Sequence, residues 1–191
     1  RRTYDWILAQ AQTPHALWTL AVISFVESSV FPIPPDVLLI PMILAAPHRA
    51  WLIAGVCTLA SVAGGMAGYA IGYFLFEQVG EPILGFYGYT EKFDVFRQSY
   101  NEWGAWAVLI AGVTPFPYKV ITILSGVTAL DIWVFTVASL IARALRFFLI
   151  AALLWKFGPA VREFIERRLG LVFTVSMALL LGGFVVAKVL I

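Results

Sequence analysis

Apolar runs alternate with short polar breaks along most of this chain. The first run, Ala16 to Phe31, stops at Pro32-Ile33-Pro34-Pro35, and a second run of 10 residues, Val37 to Ala46, follows it. Proline lacks the backbone donor that a helix interior needs, and it disfavours helical geometry in the preceding residue. Since a spanning helix needs about 20 apolar residues, we predict two short helical arms joined by a break, which is a re-entrant hairpin.

A full-length apolar segment and a polar linker come next. Trp51 to Phe76 is long enough to cross a membrane and is rich in glycine and alanine, which allow close contact between helices. Residues 77–103 interleave charged and aromatic side chains. That pattern predicts an aqueous or interfacial linker with a short amphipathic helix. Residues 4–13, ahead of the first run, predict a short interfacial helix.

The same order of elements then recurs. Gly104 to Val113 and Val120 to Leu130 are short apolar arms around a second break, which contains Pro115 and Pro117. Residues 131–157 form a second full-length span. Its first residue, Asp131, is of a type that caps helix N-termini, and we predict that role for it.

The two breaks are related by a fixed spacing. Pro32 and Pro34 lie 83 residues before Pro115 and Pro117. A hairpin returns to its starting side and a span crosses, so the second unit would enter from the opposite side, as in inverted repeats. We therefore predict an all-α polytopic membrane protein, built as an inverted repeat of a re-entrant helical hairpin plus a transmembrane helix, with an additional C-terminal transmembrane helix.

The whole chain, residues 1–191, is then one membrane domain. Its predicted parts are repeat 1 at 16–80, an amphipathic linker at 81–103, repeat 2 at 104–158, and a basic interfacial segment with the C-terminal transmembrane helix at 159–191. Seven Lys and Arg residues fall on the side of the N-terminus and three on the other. Because basic residues favour the cytoplasmic side, we predict a cytoplasmic N-terminus.

Composition agrees with a membrane protein. The chain is 61% hydrophobic and 13% charged, with a mean hydropathy of +0.90, whereas a soluble domain is nearer half apolar and a quarter charged. One cysteine and two histidines are too few for a His/Cys metal cluster, so we expect no metal and no cofactor. The net charge of +2 is too small to suggest nucleic acid as a partner.

Five ionisable residues lie at predicted membrane depth: Glu27, Asp36, Lys119, Arg143 and Arg146. Each costs about 3 kcal/mol at the centre of a membrane helix before pairing reduces that figure. One interpretation is that the five only pair with one another and hold the hairpins. Buried ion pairs are weak stabilisers, however, and three cations face two carboxylates. The surplus positive charge predicts an anion site at Lys119, Arg143 and Arg146, with phosphate as the first candidate. Glu27 and Asp36 would balance charge or carry protons.

Three segments carry a resemblance to a known family. They are Glu27-Ser-Ser-Val-Phe-Pro-Ile-Pro-Pro-Asp36, Thr114-Pro-Phe-Pro-Tyr-Lys119 and Ala142-Arg-Ala-Leu-Arg-Phe-Phe148. Together they resemble the DedA superfamily (the VTT, or SNARE-associated, domain), in particular its short YqaA-like branch. The resemblance implies two re-entrant hairpins in an inverted repeat. It also implies that Glu27 and Asp36 are the family's acidic first-hairpin residues and that Lys119 is its basic second-hairpin residue.

The resemblance also implies a function, which is the movement of lipids between leaflets. For bacterial members the implied substrates are undecaprenyl phosphate or phospholipids such as phosphatidylethanolamine, with dependence on the proton gradient; eukaryotic relatives are lipid scramblases. We therefore expect a lipid transporter (flippase or scramblase) rather than an enzyme, in the bacterial inner membrane. Its expected partners are membrane lipids and protons, and a homo-oligomer is left open.

The chain departs from the family pattern at the second break. The family usually has two arginines there, whereas here Lys119 stands alone, and Arg143 or Arg146 is the candidate for the missing charge. Two other functions stay open. An intramembrane polyprenyl-phosphate phosphatase would need a nucleophile or base beside the arginines, for which Ser28, Ser29 or Glu27 could serve, although no Ser-Arg-Ser cluster or catalytic His is present. The other is a non-transporting membrane scaffold.

Overall fold

The structure, a computed structural model, describes residues 15–29, 35–114, 117–158 and 160. All regular structure in these ranges is helical. The helices are α1 (Ala16–Ser29), α2 (Asp36–Ala45), α3 (Ala50–Leu75), α4 (Glu81–Tyr87), α5 (Thr90–Val113), α6 (Tyr118–Val127) and α7 (Ile132–Gly158). A single 3-10 turn, Pro47–Arg49, leads into α3, and a π-helical turn, Phe76–Gly80, joins α3 to α4.

Two helical stretches among the described residues are long and apolar enough to cross a membrane. One is Pro47–Tyr87, which contains α3, and the other is α7. Both predicted spans are therefore confirmed as long apolar helices. Helices α1, α2 and α6 are also apolar but contain only 14, 10 and 10 residues. At about 1.5 Å of rise per residue these three are too short to cross a hydrocarbon core of about 30 Å alone.

Several predicted features lie outside the described residues. They are the interfacial helix at 4–13, the prolines Pro32, Pro34 and Pro115, and all of 159–191 except residue 160. The other two break prolines are described: Pro35 directly precedes α2, and Pro117 directly precedes α6. The re-entrant paths, the inverted repeat and the final transmembrane helix stay predictions.

One predicted boundary differs from the structure. Helix α5 runs without interruption for 24 residues from Thr90 to Val113, so the linker predicted at 81–103 and the short arm predicted from Gly104 share one helix. The physical reason is that Gly104 costs a helix only about 1 kcal/mol relative to alanine, which is too little to end a helix that has no proline. Gly104 packs closely against the side chain of Leu130 instead.

The start of α7 agrees with the sequence. The carboxylate of Asp131 accepts hydrogen bonds from the backbone N–H groups of Trp133 and Val134 at 2.9 and 3.0 Å. These two N–H groups have no partner within the helix, and a capping side chain satisfies them. The predicted N-cap role of Asp131 is confirmed.

The described part of the chain buries polar residues among the apolar residues of its core and exposes a largely apolar outer surface. Fully or almost fully buried polar residues include Ser24, Ser28, Ser61, Thr122, Ser125, Ser139 and Arg143. Large apolar side chains on the outer faces of α3 and α7 are exposed instead, among them Leu59, Phe74, Ile141 and Leu145. A water-soluble protein rarely exposes so continuous an apolar surface, whereas lipid solvates one readily. This distribution fits a surface that faces hydrocarbon.

Helices α1 and α6 both pack against α3 at very close range. A methyl group added to Gly64 of α3 would overlap the backbone carbonyl of Phe25 in α1, and one added to Gly72 would overlap that of Ile123 in α6. Gly126 of α6 makes the same kind of approach to the carbonyl of Tyr69. Small residues at these crossings let the backbones come together, as is common in membrane helices. Helix α3 is therefore the support on which one arm of each predicted hairpin rests.

The crossing of α1 and α3 can be tested with a matched pair of glycine substitutions. Gly64→Ala should destabilise the protein by about 1–3 kcal/mol, because the new methyl group must displace the α1 backbone. Gly55→Ala lies in the same helix but meets nothing within 4 Å. It should be neutral or stabilising by up to about 1 kcal/mol. Thermal unfolding in detergent measures both, and equal effects of the two substitutions would contradict the close crossing.

Candidate functional site

Arg143, in the middle of α7, contacts both helix breaks. Its Nη2 donates to Oε2 of Glu27 at 3.2 Å and lies 3.4 Å from Oγ of Ser28, on the last turn of α1. Its guanidinium group also lies over the ring of Tyr118, the first residue of α6, at 3.8 Å from the ring centroid. The Arg143 side chain is only 2% exposed and that of Glu27 15%. Arg143 therefore connects the end of α1 to the start of α6 within the protein interior.

Arg146 makes the equivalent connection one turn further along α7. Its Nη2 pairs with Oδ2 of Asp36, the first residue of α2. Its Nη1 donates to the backbone carbonyl of Thr114, directly after α5, at 2.9 Å. This pair is more open to its surroundings, with side-chain exposures of 18% and 22%. Each arginine thus contacts one side of the first break and one side of the second.

A set of buried hydroxyl groups ties the Glu27–Arg143 pair to α3. The Ser28 hydroxyl donates to the Glu27 carboxylate at 3.1 Å and lies 2.7 Å from the Ser61 hydroxyl of α3. One turn earlier in α1, Ser24 donates to the backbone carbonyl of Cys57 at 2.8 Å. These bonds fix the rotation of α1 against α3. They therefore also fix the direction in which Glu27 points.

Four of the five charged residues predicted for the site come together, as two ion pairs. Lys119 is apart from them: it follows Tyr118 at the start of α6, is half-buried, and its ammonium group forms no ion pair within the described part of the chain. Arg143 and Arg146 bring positive charge from α7 to the second break, and the replacement of the family's arginine by one of them stays a prediction. Headgroup binding by the three cations stays a prediction.

Three contributors to the site were not predicted from the sequence. Tyr118 stood in the second break motif without a role, and Thr114 takes part through its backbone carbonyl, which no side-chain pattern reveals. Ser61 could have been predicted from the spacing of polar residues in two helices. Ser24 and Ser28 are four residues apart in α1, and Cys57 and Ser61 are four apart in α3, so each pair lies on one helix face. Two polar stripes of equal spacing on apolar helices indicate contact between them.

The described residues contain no group of three or more His, Cys, Asp or Glu side chains that could hold a metal ion. In the site, the carboxylates of Glu27 and Asp36 neutralise Arg143 and Arg146 directly. A guanidinium group with a carboxylate on one edge and an aromatic ring on its face is still able to exchange the carboxylate for another oxyanion, because both are acceptors of the same donors. Anion binding at this site stays a prediction.

Long apolar helices, an apolar exterior and ion pairs enclosed at two helix breaks define a helical membrane protein with an internal polar site. A family model, the VTT domain, matches residues 33–156. The chain belongs to this family, the VTT-domain or DedA family, as its break motifs indicated.

Two relatives match the chain over most of their length. The chain is 37% identical over 167 residues to an uncharacterized protein of Haemophilus influenzae, a match that covers 85% of this chain and 86% of that protein. It is 36% identical over 167 residues to an uncharacterized protein of Histophilus somni, which covers 85% and 87%. No solved structure matches the chain.

The Glu27–Arg143 pair can be tested through its stability. Glu27→Leu should cost about 3–5 kcal/mol, because it leaves the Arg143 guanidinium buried without a carboxylate. The double variant Glu27→Leu/Arg143→Met replaces both charges with apolar groups and should cost less than Glu27→Leu alone. Unfolding in detergent measures both of these variants and Arg143→Met alone. Simple addition of the two single effects would show that the residues do not interact.

Proposed function

We propose that this protein moves a lipid with a phosphate headgroup from one leaflet of the membrane to the other. The observation that supports it is that each of two arginines at the middle of α7 contacts both helix breaks, with a carboxylate as its exchangeable partner. Burying four charged residues in one place costs free energy, and a binding role would explain their presence. Phosphate, like carboxylate, matches the planar guanidinium group with two parallel hydrogen bonds.

Headgroup binding begins at the more open ion pair. Asp36 and Arg146 are partly exposed, and Lys119 lies at the start of α6 without a carboxylate among the described residues. The ammonium group of Lys119 attracts the phosphate, and Arg146 then exchanges Asp36 for a phosphate oxygen. Arg143, which is almost fully buried, is the inner cation on the same face of α7. The acyl or prenyl tails stay in the bilayer throughout.

When an anion replaces one of the carboxylates, the contact between α7 and the first break is lost. When phosphate takes the place of Asp36 or Glu27, the arginine keeps its contact with the second break but releases the first. The released carboxylate, Glu27 or Asp36, is the candidate proton carrier of the site. Movement of α1 or α2 relative to α7 would follow from this release, and the bound headgroup would become accessible from the other side.

The family resemblance narrows the substrate to undecaprenyl phosphate or a phospholipid and the location to the bacterial inner membrane. The distribution of Lys and Arg favours a cytoplasmic N-terminus. The structural features that support the proposal concern the phosphate group and not the tail. Orientation can be measured in the reconstituted protein by placing a cysteine at His48 or at Glu91, at opposite ends of the helical stretch around α3. A membrane-impermeant maleimide should then label the two from opposite sides.

Lipid movement can be separated from structural support in proteoliposomes that contain fluorescent lipids with phosphate headgroups. Lys119→Ala should lower the rate of translocation about tenfold or more, the usual effect of losing a charged hydrogen bond. The double variant Glu27→Leu/Arg143→Met should regain stability but still translocate poorly. If the ion pairs only hold the hairpins together, this double variant would be fully active.

A matched control comes from α7. Lys156 is an exposed cation near the end of that helix, and its ammonium group lies over the ring of Phe157. Lys156→Ala removes the same charge as Lys119→Ala and should leave the rate unchanged. Equal losses in the two variants would mean that net charge, and not the site, governs the rate. A wild-type protein that moves no phosphate-headgroup lipid would favour the scaffold.

One contact favours a second candidate, a lipid-phosphate phosphatase. The Ser28 hydroxyl lies 3.1 Å from the Glu27 carboxylate and 3.4 Å from the Arg143 guanidinium, which places a nucleophile, a base and an anion-binding group together. A phosphatase would release inorganic phosphate from a polyprenyl phosphate, and Ser28→Ala would stop that release. A transporter releases none.

A further inference from the structure

Three buried polar groups next to the Glu27–Arg143 pair have no hydrogen-bond partner among the described residues. They are Nε of Arg143, the hydroxyl of Tyr118 and Oγ of Ser139. The three residues are 2%, 1% and 0% exposed. Buried polar groups are nearly always satisfied, so three unsatisfied ones on neighbouring residues indicate an occupant that accepts hydrogen bonds.

The three groups lie close together because of how α6 and α7 pack. Ser139 precedes Arg143 by four residues in α7, so both lie on one helix face. The Tyr118 ring stacks on the Arg143 guanidinium, and its hydroxyl lies near both Ser139 and Arg143.

Two glycines hold the Tyr118 ring in this position. Gly65 of α3 lies against one side of the ring, where a methyl group would come within 3.3 Å, and Gly112 of α5 lies against another, where it would come within 3.7 Å. A larger residue at either position would press on the ring. The direction of the Tyr118 hydroxyl is therefore set by three other helices, α3, α5 and α7.

The chemistry of the set defines what it can bind. An arginine Nε–H can only donate, and the hydroxyl groups of tyrosine and serine can donate at the same time. The carboxylate of Glu27 is occupied by a different nitrogen, Nη2, and by Ser28. Three donors, one of them cationic, fit an oxygen atom that carries negative charge.

We propose that Arg143 Nε, the Tyr118 hydroxyl and Ser139 Oγ form an inner oxyanion subsite that holds one oxygen of a phosphate group. The proposal rests on the proposed function, because the subsite would make the innermost contact with a headgroup that Lys119 and Arg146 bind first. It also gives Tyr118 a binding role in addition to its packing on Arg143. The same chemistry suits a lipid phosphate or free inorganic phosphate.

Two substitutions remove one donor each with little change in shape. Tyr118→Phe and Ser139→Ala should each weaken phosphate binding about tenfold, the usual effect of losing one hydrogen bond to a charged group. Each variant loses only a hydroxyl group and keeps the rest of its side chain, so it should remain folded, which thermal unfolding in detergent checks. Tyr73→Phe, on the exposed part of α3, is the matched control and should change neither property.

Binding is measured by calorimetry on the purified full chain in detergent, with inorganic phosphate in one series and a short-chain phosphatidic acid in the other. A loss with both probes supports a subsite for any phosphate, and a loss with the lipid alone supports a subsite for the headgroup. Unchanged affinity in both stable variants would overturn the proposal and leave water as the occupant. A wild-type protein that binds neither probe would also overturn it. Failure of the proposed function is a separate result, namely phosphate binding without lipid movement in proteoliposomes.

Discussion

Two guanidinium groups in an apolar helix must find partners inside the protein, and the centre of this molecule is built around that requirement. Arg143 and Arg146 lie too far from either end of α7 to reach water easily, so their charges have to be met at membrane depth. The partners come from the ends of α1, α2, α5 and α6, where the chain is interrupted by prolines. Unpaired backbone groups at such interruptions also need partners, and Arg146 supplies one to Thr114.

The contacts of the short helices fall into two kinds. Helices α1 and α6 are fixed to α3 by glycine crossings, and α1 also by hydroxyl bonds such as Ser28 to Ser61. Their contacts with α7 include charged groups, and a phosphate is able to replace a carboxylate there. Contacts with α3 therefore hold the short helices in place, and contacts with α7 include the charged groups. A protein that binds a headgroup in its interior and then releases it needs both.

Features that depend on local sequence could be predicted, and features that depend on tertiary contact could not. The two spans follow from apolar length, the N-cap from the chemistry of Asp131, and the five charged candidates from the scarcity of charge. The family followed from motifs around the breaks. The partner of each arginine was not predictable, because Glu27 and Asp36 are equally acidic and their distances to α7 depend on how α1 and α2 pack. The continuity of α5 was not predicted because the composition changes at Gly104, from charged to apolar, although no residue there ends the helix.

A structure of the protein determined in lipid nanodiscs would show where the two breaks and the two arginines lie relative to the membrane. Both breaks should lie within the hydrocarbon layer, with Arg143 between Glu27 and Tyr118, and Arg146 between Asp36 and the Thr114 carbonyl. Breaks in bulk water, or arginines turned toward lipid headgroups with their carboxylates elsewhere, would contradict this arrangement.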